Sequence, residues 1–325
     1  MRIAATLALV LGLALAIVLV VWRGFGTIAG AMATLGVGVF LLPLVYAPHL
    51  FGIAFSWRHP VPEAQRPRFA VFLHAVWIGF SVETLLPMAG VAAELVKARL
   101  LIRAGARTAD AASLAVVDLT VQSVMLAVWA AGGVALLALL KAGTSLLWPA
   151  VAGAAVLAVA IAAFLLVQRA GAFGFLTRSG GRVAGGATRW AGLHAGAADM
   201  DRTLRTIHDR PLRLAAACAI RCLTRCALVA ELWVAALLMG QPILLSDGAM
   251  LIGIVGALRA AAFILPGGWG LQEGGFVMLG GVLGLSPDFA LALSLATRAR
   301  ELMLGVPALL VWHFAEGRSL KSLMT

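Results

Sequence analysis

Charged and amide side chains interrupt the apolar stretches of this sequence at a small number of positions. A charge near the centre of a lipid bilayer costs about 2.5 to 3.5 kcal/mol on insertion scales, so such a residue usually faces a polar partner or a cavity. The chemistry open to these side chains is ion pairing and the binding of a polar or anionic group. We predict a binding cavity formed by Glu94, Asp118, Gln122, Arg259, Glu273, Arg298, Arg300 and Glu301.

The same residues have a plainer interpretation. Arg298 and Glu301 are three residues apart on one predicted helix, where an ion pair would only hold helices together. Several charges left facing lipid would together cost about ten kcal/mol, which favours a shared polar cavity for the whole set. Arg221 and Arg225 mark a further predicted span, from about Leu212 to Met239, and Arg221 could also extend along the helix to the cytoplasmic surface.

Signatures of enzymes are missing from the sequence. It has no H-E-x-x-H, G-x-S-x-G, Walker or C-x-x-C motif, and its histidines are dispersed. Cys218, Cys222 and Cys226 recur every four residues in one apolar segment, a spacing that suits a helix contact better than a metal site. We therefore expect no catalytic residues, no metal and no cofactor.

The composition indicates the class of protein in which these side chains lie. The 325 residues are 62% hydrophobic and 12% charged, with a mean hydropathy of +1.01. Apolar runs of about 20 residues, the length that spans a bilayer as a helix, recur along the chain. The sequence predicts one all-α polytopic transmembrane domain over residues 1–325, with about six full spans. The net charge of +11 lies mostly in loops, where orientation in the membrane accounts for it without a nucleic-acid partner.

The loop charges also predict the topology. Basic residues are found in the loop before residue 69, in the polar region at about 168–213 and in the C-terminal tail. Because basic loops face the cytoplasm, we predict a bacterial inner-membrane protein with both termini in the cytoplasm. The first apolar run, from about Ile3 to Val21, is longer than the core of a signal peptide, so we predict that it is a retained span.

One break pattern occurs twice in the apolar sequence, as L-P-M-A-G-V-A-A-E-L and as L-P-G-G-W-G-L-Q-E-G. Pro87 and Glu94 of the first copy fall 179 residues before Pro266 and Glu273 of the second. Matching breaks in two halves of a membrane protein are a pointer to a transport site between repeats. The glycines of the second break either present N–H groups to an anion or only allow a tight turn. The predicted turn residues are Pro87, Pro266, Gly267, Gly268 and Gly270.

The topology places the two breaks in opposite orientations. Residues 69–105 must enter and leave on the cytoplasmic side, and residues 248–284 on the external side. We therefore predict two re-entrant helical hairpins within repeat-like halves at about 69–140 and 248–314, related as an inverted repeat. Eight complete spans with broken helices are the alternative.

A basic cluster follows the first break. Lys97, Arg99, Arg103 and Arg107 are predicted to be cytoplasmic. They either bind lipid headgroups at the inner leaflet or supply only the charge that fixes the orientation of the hairpin.

The break motifs, the Asp118 region and the later T-R-A-R-E resemble the flippase-like domain family, also called the lysylphosphatidylglycerol synthase transmembrane region. The chain looks most like a stand-alone, hopanoid-associated branch, which implies export or distribution of a hopanoid or other lipid. Since no soluble aminoacyl-transferase domain is recognised, lipid aminoacylation is not expected. Met88 and Ala89 stand where the family often has Gly or Ser. Residues that match the polar pattern of the family are Glu94, Glu273, Arg298 and Glu301.

These observations lead to one main hypothesis and two alternatives. The main hypothesis is a lipid translocase or transporter that moves a hopanoid or a phospholipid-type amphiphile, with a membrane lipid as its substrate. An excess of arginine near the second break favours an anionic or polyhydroxylated headgroup. The first alternative is a scaffold that recruits lipid-biosynthesis or export proteins through residues 168–213. A membrane-embedded transferase is the second, disfavoured because a catalytic constellation is missing.

Overall fold

The computed structural model describes residues 33, 35–61, 66–85, 89–169, 210–261 and 270–321. Within these ranges every regular element is helical. Three of the described helices are long and apolar enough to cross a membrane: Gly36–Arg58, Thr108–Leu140 and Leu147–Leu166. The predicted class, an all-helical membrane protein, is confirmed. The first predicted span, most of the polar region at 168–213 and four of the predicted turn residues lie outside the described ranges: Pro87, Pro266, Gly267 and Gly268.

Helices follow one another through the described residues. They are α1 Leu41–Arg58, α2 Phe69–Leu85, α3 Ala89–Arg103, α4 Thr108–Leu140, α5 Leu147–Arg169, α6 Pro211–Thr224, α7 Cys226–Leu238, α8 Leu245–Met250, α9 Gly256–Ala261, α10 Leu271–Leu283 and α11 Pro287–Lys321. A 3-10 turn, Gly36–Phe40, precedes α1, and a π-helical segment, Leu251–Val255, joins α8 to α9. The span predicted from Leu212 to Met239 is divided at Arg225 into α6 and α7.

Two glycines end the segments that follow the two sequence breaks. Gly105, after α3, has a φ of +97°, and Gly284, after α10, has a φ of +86°. In both turns the N–H of the next residue donates to the carbonyl five residues back, at 3.0 and 2.8 Å. This left-handed ending with a six-to-one hydrogen bond is a common helix C-cap, for which glycine has no steric penalty. Gly105 and Gly284 lie 179 residues apart, the same spacing as Pro87 and Pro266, and they have the same structural role.

The helices on either side of the first break pack against each other. Gly79 of α2 leaves room for the aliphatic stem of Lys97 on α3, which would lie 2.7 Å from a Cβ at that position. With 17 and 15 residues, α2 and α3 are each shorter than the roughly 20 residues that a full span requires. The second break is bordered by α10, which has 13 residues.

Helix α11 brings the two break regions together. On one face Trp77 of α2 donates its indole N–H to the Leu304 carbonyl at 3.0 Å, and Gly305 contacts Leu85. On another face α10 approaches closely, because a Cβ at Gly280 would lie 2.7 Å from the Cβ of Ala290. Polar residues on α11 are therefore within reach of both halves of the molecule.

Helix α5 has a different environment. None of the apolar residues in its membrane-length window is buried, and large side chains such as Trp148 and Val156 are 77% and 70% exposed. A helix that is apolar all round and lacks cover from protein is suited to contact with lipid. The packed interior therefore lies on the other side of α4.

Close packing between α4 and the π-helical segment leads to a stability prediction. A Cβ at Gly253 would lie 2.3 Å from the carbonyl oxygen of Trp129, a backbone atom that cannot rotate away. We expect Gly253→Ala to destabilise the protein by about 1 to 3 kcal/mol, because overpacking forces backbone shifts. The measurement is the thermal unfolding midpoint of the purified protein in detergent.

Gly132 supplies the matched control for this substitution. It lies on α4, three residues after Trp129, but it is exposed and nothing is within 4 Å of a Cβ built there. Gly132→Ala should be neutral or stabilising by up to about 1 kcal/mol, since alanine is the better helix former. Equal midpoints for the two variants would contradict the close contact at Gly253.

Candidate functional site

An arginine on α11 joins two carboxylates near the second break. Arg298 donates from Nε to Glu273 Oε1 at 3.0 Å and from Nη1 to Glu301 Oε2 at 2.8 Å. The other oxygen of Glu301 accepts from Arg259 Nη1 at 2.8 Å, which ties α9 to α11. These four residues are called the second-half cluster below. Their bonds hold together three helices around the second break.

Glu273 has a second role at the start of α10. Its Oε2 accepts the backbone N–H of Gly270 at 2.6 Å, while Oε1 accepts from Arg298. Gly270 has a φ of +83°, a conformation that favours glycine. The carboxylate of Glu273 therefore occupies the N–H of Gly270, one of the groups that the sequence suggested for an external anion.

A glutamine extends the second-half cluster into a neutral network. Arg259 Nη1 also donates to Gln272 Oε1 at 2.8 Å. The amide nitrogen of Gln272 donates to the hydroxyl oxygens of Ser294 and Thr297 at 3.1 and 2.9 Å. Fully bonded polar networks of this kind fix side chains in one arrangement. Gln272 thereby sets the position of Arg259.

Arg300, two residues after Arg298, faces another neighbour. Its Nε donates to Glu231 Oε1 of α7 at 2.9 Å, and both side chains are buried. The guanidinium also lies over the ring of Tyr46 on α1, 3.8 Å from the centroid, a favourable cation–π arrangement. Arg300 therefore connects α11 with α1 and α7.

A separate set of buried charges lies near the first break. Lys97 of α3 forms salt bridges with Glu94, three residues earlier, and with Asp118 Oδ2 of α4, the latter at 2.5 Å. The other oxygen of Asp118 accepts from Arg221 Nη2 of α6 at 2.8 Å. These four residues form the first-half cluster. They join α3, α4 and α6 as the second-half cluster joins α9, α10 and α11.

Two sequence interpretations change with this geometry. Lys97 is 6% exposed and paired with two carboxylates, so it is not part of a basic surface at the cytoplasmic face. Arg221 is 5% exposed and bonded to Asp118, so its side chain does not extend to the membrane surface. The remaining residues of the predicted basic cluster do have exposed side chains: Arg99, Arg103 and Arg107.

A cavity of about 400 Å³ lies between the two clusters. Lys97 and Arg221 of the first-half cluster and Arg259 and Glu301 of the second-half cluster line it. Apolar side chains such as that of Phe276 complete its wall. An apolar wall on which charged groups converge is the usual form of a small-molecule site, and this cavity has a larger share of charged groups than most.

The family model described as the lysylphosphatidylglycerol synthase TM region matches residues 9–308. The chain belongs to this family. It is therefore a multi-pass membrane protein from a family of membrane domains linked to lipid modification. No curated protein and no solved structure matches the chain. The match is to the family as a whole and does not identify the hopanoid-associated branch.

In this lysylphosphatidylglycerol synthase TM region, the eight predicted polar residues fall into two groups. Four of them line the cavity: Gln122, Arg259, Arg300 and Glu301. The other four lie behind its wall in ion pairs that lead to lining residues: Glu94, Asp118, Glu273 and Arg298. The structure thus brings all eight to one region, and their role in binding a substrate stays a prediction.

Six further charged or amide residues line the cavity and were not in the predicted set. They are Glu83, Lys97, Arg221, Arg225, Glu231 and Gln272. Each is a charge or amide within an apolar run, the same signal that identified the others. Glu83, in F-S-V-E-T-L, is the clearest case of this signal. Among the described residues, no group of three or more His, Cys, Asp or Glu could hold a metal ion.

Proposed function

We propose that this protein is a lipid translocase that moves the polar headgroup of a lipid through the cavity while the tails remain in the bilayer. The observation that carries the proposal is a charged cavity between two buried ion-pair clusters, inside a membrane domain of a lipid-linked family. At about 400 Å³ the cavity is at the small end of ligand sites, which suits a headgroup and not a whole lipid. Charges inside membrane segments usually mark such a path.

The arrangement of the hairpins supports a route through the protein. We propose that α2–α3 and α8–α10 are re-entrant hairpins that enter from opposite sides of the membrane, as an inverted repeat does. The short lengths of α2, α3 and α10 and the shared endings at Gly105 and Gly284 favour this arrangement over eight full spans. Alternating movement of the hairpins would then open the cavity to one leaflet at a time.

The finer assignments are also proposals. The protein would act in a bacterial inner membrane with cytoplasmic termini, on a hopanoid or a phospholipid-type amphiphile. Downhill movement between leaflets needs no coupling ion. Glu273 and Glu301 are the residues that would carry a proton if movement were coupled.

Reconstitution tests the proposal. Purified protein in liposomes should move leaflet-labelled phospholipid or hopanoid much faster than protein-free liposomes do. Arg259 is the member of the second-half cluster with substantial side-chain exposure, 27%, so it is the one best placed to touch a headgroup. We expect Arg259→Ala to lower the rate of transbilayer movement at least tenfold, about 1.4 kcal/mol in the barrier.

Arg210→Ala is the matched control, since this arginine is exposed and precedes α6 outside the cavity. It should move lipid at the rate of the unmodified protein. Folded protein that moves none of the candidate lipids would overturn the translocase and favour the scaffold, whose recruiting region would be residues 168–213.

A further inference from the structure

Two arginines one helical turn apart face the cavity at the junction of α6 and α7. Arg221 and Arg225 both line it, and the i, i+4 spacing places them on one side of the chain. Arg221 uses Nη2 for Asp118, but its Nη1 is buried and has no hydrogen-bond partner among the described residues. A buried donor without an acceptor costs about 1 to 3 kcal/mol, so this atom is suited to bind an additional acceptor.

Contacts from α1 stabilise the break between α6 and α7 at Arg225. His49 donates from Nδ1 to the carbonyl oxygen of Thr224 at 3.0 Å. Gly52 lets Thr224 approach so closely that a Cβ there would lie 1.8 Å from its methyl carbon. The N–H of Arg225 donates to the carbonyl of Cys222, three residues back, at 3.2 Å. This bond makes a tighter turn than the four-residue spacing of the α-helix. The geometry that orients Arg225 is therefore fixed by a neighbouring helix.

Arg225 has no ion-pair partner in the part of the chain that the structure describes. Its Nη1 would lie 4.0 Å from a Cβ at Gly256, which places the guanidinium toward the start of α9. The arginines of the second-half cluster, by contrast, are all paired with carboxylates. Arg225 therefore adds a cation without a carboxylate partner among the described residues at the α6–α7 junction, in the same cavity lining as the paired Arg259.

A carboxylate that lacks a cationic partner among the described residues lines the same cavity. Glu83 of α2 forms no ion pair with any described residue, and its Oε1 accepts only a long hydrogen bond of 3.4 Å from Gln122. Burying a charge without a partner is costly, and proteins usually pair such groups with each other. Here Arg225 and Glu83 remain apart in one cavity, so one ligand that carries both charges would satisfy both residues.

We propose that the cavity binds a zwitterionic phosphate–amine headgroup. The phosphate lies between the guanidinium groups of Arg221 and Arg225, whose planar forks suit phosphate oxygens. The ammonium group lies against Glu83. A headgroup that bears a phosphate alone would leave Glu83 unpaired and repelled. This inference rests on the proposed function for its route but concerns binding, which is measured separately from movement.

The binding experiment uses purified full-length protein in detergent. Its probes are phosphatidylethanolamine, phosphatidylglycerol and the water-soluble glycerophosphoethanolamine, with affinity measured from thermal stabilisation and from lipid retained in native mass spectra. Phosphatidylethanolamine should bind at least tenfold more tightly than phosphatidylglycerol. Binding of the soluble probe at similar affinity would identify a free phosphate–amine metabolite as the ligand and overturn the lipid source.

Two variants separate the two charges of the headgroup. Arg225→Ala should weaken binding of both lipids at least tenfold, because both carry the phosphate. Glu83→Gln should weaken phosphatidylethanolamine at least tenfold and leave phosphatidylglycerol unchanged, because only the former has an amine. Arg225→Lys keeps the positive charge but loses the planar guanidinium group. Binding that is weakened less in this variant than in Arg225→Ala would show that the loss is not caused by misfolding. Arg210→Ala controls for the loss of a surface charge.

The possible results are distinct. Equal affinity for the two lipids, or a Glu83→Gln variant with unchanged preference, would overturn the zwitterionic site. Selective binding without any transbilayer movement in liposomes would leave the site intact and overturn only the translocase.

Discussion

Asp118→Asn is expected to lower the free energy of unfolding by about 3 to 5 kcal/mol, among the largest effects of any single substitution in this protein. Asp118 is 2% exposed and accepts from Lys97 with one oxygen and from Arg221 with the other. An asparagine has only one acceptor oxygen and turns an NH₂ group toward the second cation. Two buried positive charges would then share Glu94 as their remaining anionic partner. Thermal unfolding of the purified variant measures the loss.

A second substitution should restore most of this stability. In Asp118→Asn combined with Arg221→Met, the amide can turn its oxygen to Lys97, and Glu94 still neutralises the ammonium group. Removing both members of a buried ion pair is often nearly neutral, whereas removing one is not. A double variant as unstable as Asp118→Asn would contradict the ion-pair explanation and indicate a packing defect.

Glu301→Gln is the second substitution with a large expected effect. Both oxygens of Glu301 accept from guanidinium groups, Arg259 on α9 and Arg298 on α11, each at 2.8 Å. The amide NH₂ of glutamine would face one of these donors, so one arginine would lose this anionic partner, and Arg259 has no other carboxylate partner among the described residues. We expect a loss of about 3 to 5 kcal/mol in unfolding free energy and lipid movement at the level of protein-free liposomes.

Glu83→Gln is the matched control for stability. It makes the same chemical change in the same cavity, but Glu83 accepts from the Gln122 amide and from no arginine among the described residues. Its unfolding midpoint should correspond to a change within about 1 kcal/mol. If both glutamine variants were equally unstable, the two arginine bonds of Glu301 would not be the cause.

The sequence was sufficient for the class of the protein and for many of its important positions. Long apolar runs predicted the membrane helices, and charges within them marked residues that the structure places around one cavity. Gly105 and Gly284 lie 179 residues apart in the sequence, like the prolines of the two breaks, and both have a left-handed backbone. These features are local, because helix length, a buried charge and a turn glycine are each visible within a few residues.

The pairing of the charges could not be predicted in the same way. Asp118 and its partner Arg221 are 103 residues apart, and Glu231 and its partner Arg300 are 69 residues apart. Hydropathy shows that each side chain needs a partner but not which one, since that depends on helix packing. For this reason the sequence placed Lys97 at the surface, and it did not show that both arginines of the second-half cluster are paired with carboxylates.

The opposite charges of Arg225 and Glu83 in one cavity also affect how the membrane potential would act on the headgroup that they bind. A net elementary charge that crosses a potential of 100 mV involves electrical work of about 2.3 kcal/mol. A zwitterionic headgroup of the kind proposed carries no net charge, so the voltage neither drives nor opposes its passage. A singly charged headgroup would move with the field in one direction and against it in the other. If the protein moves a zwitterionic headgroup as proposed, the rate of that movement should not depend on the membrane potential.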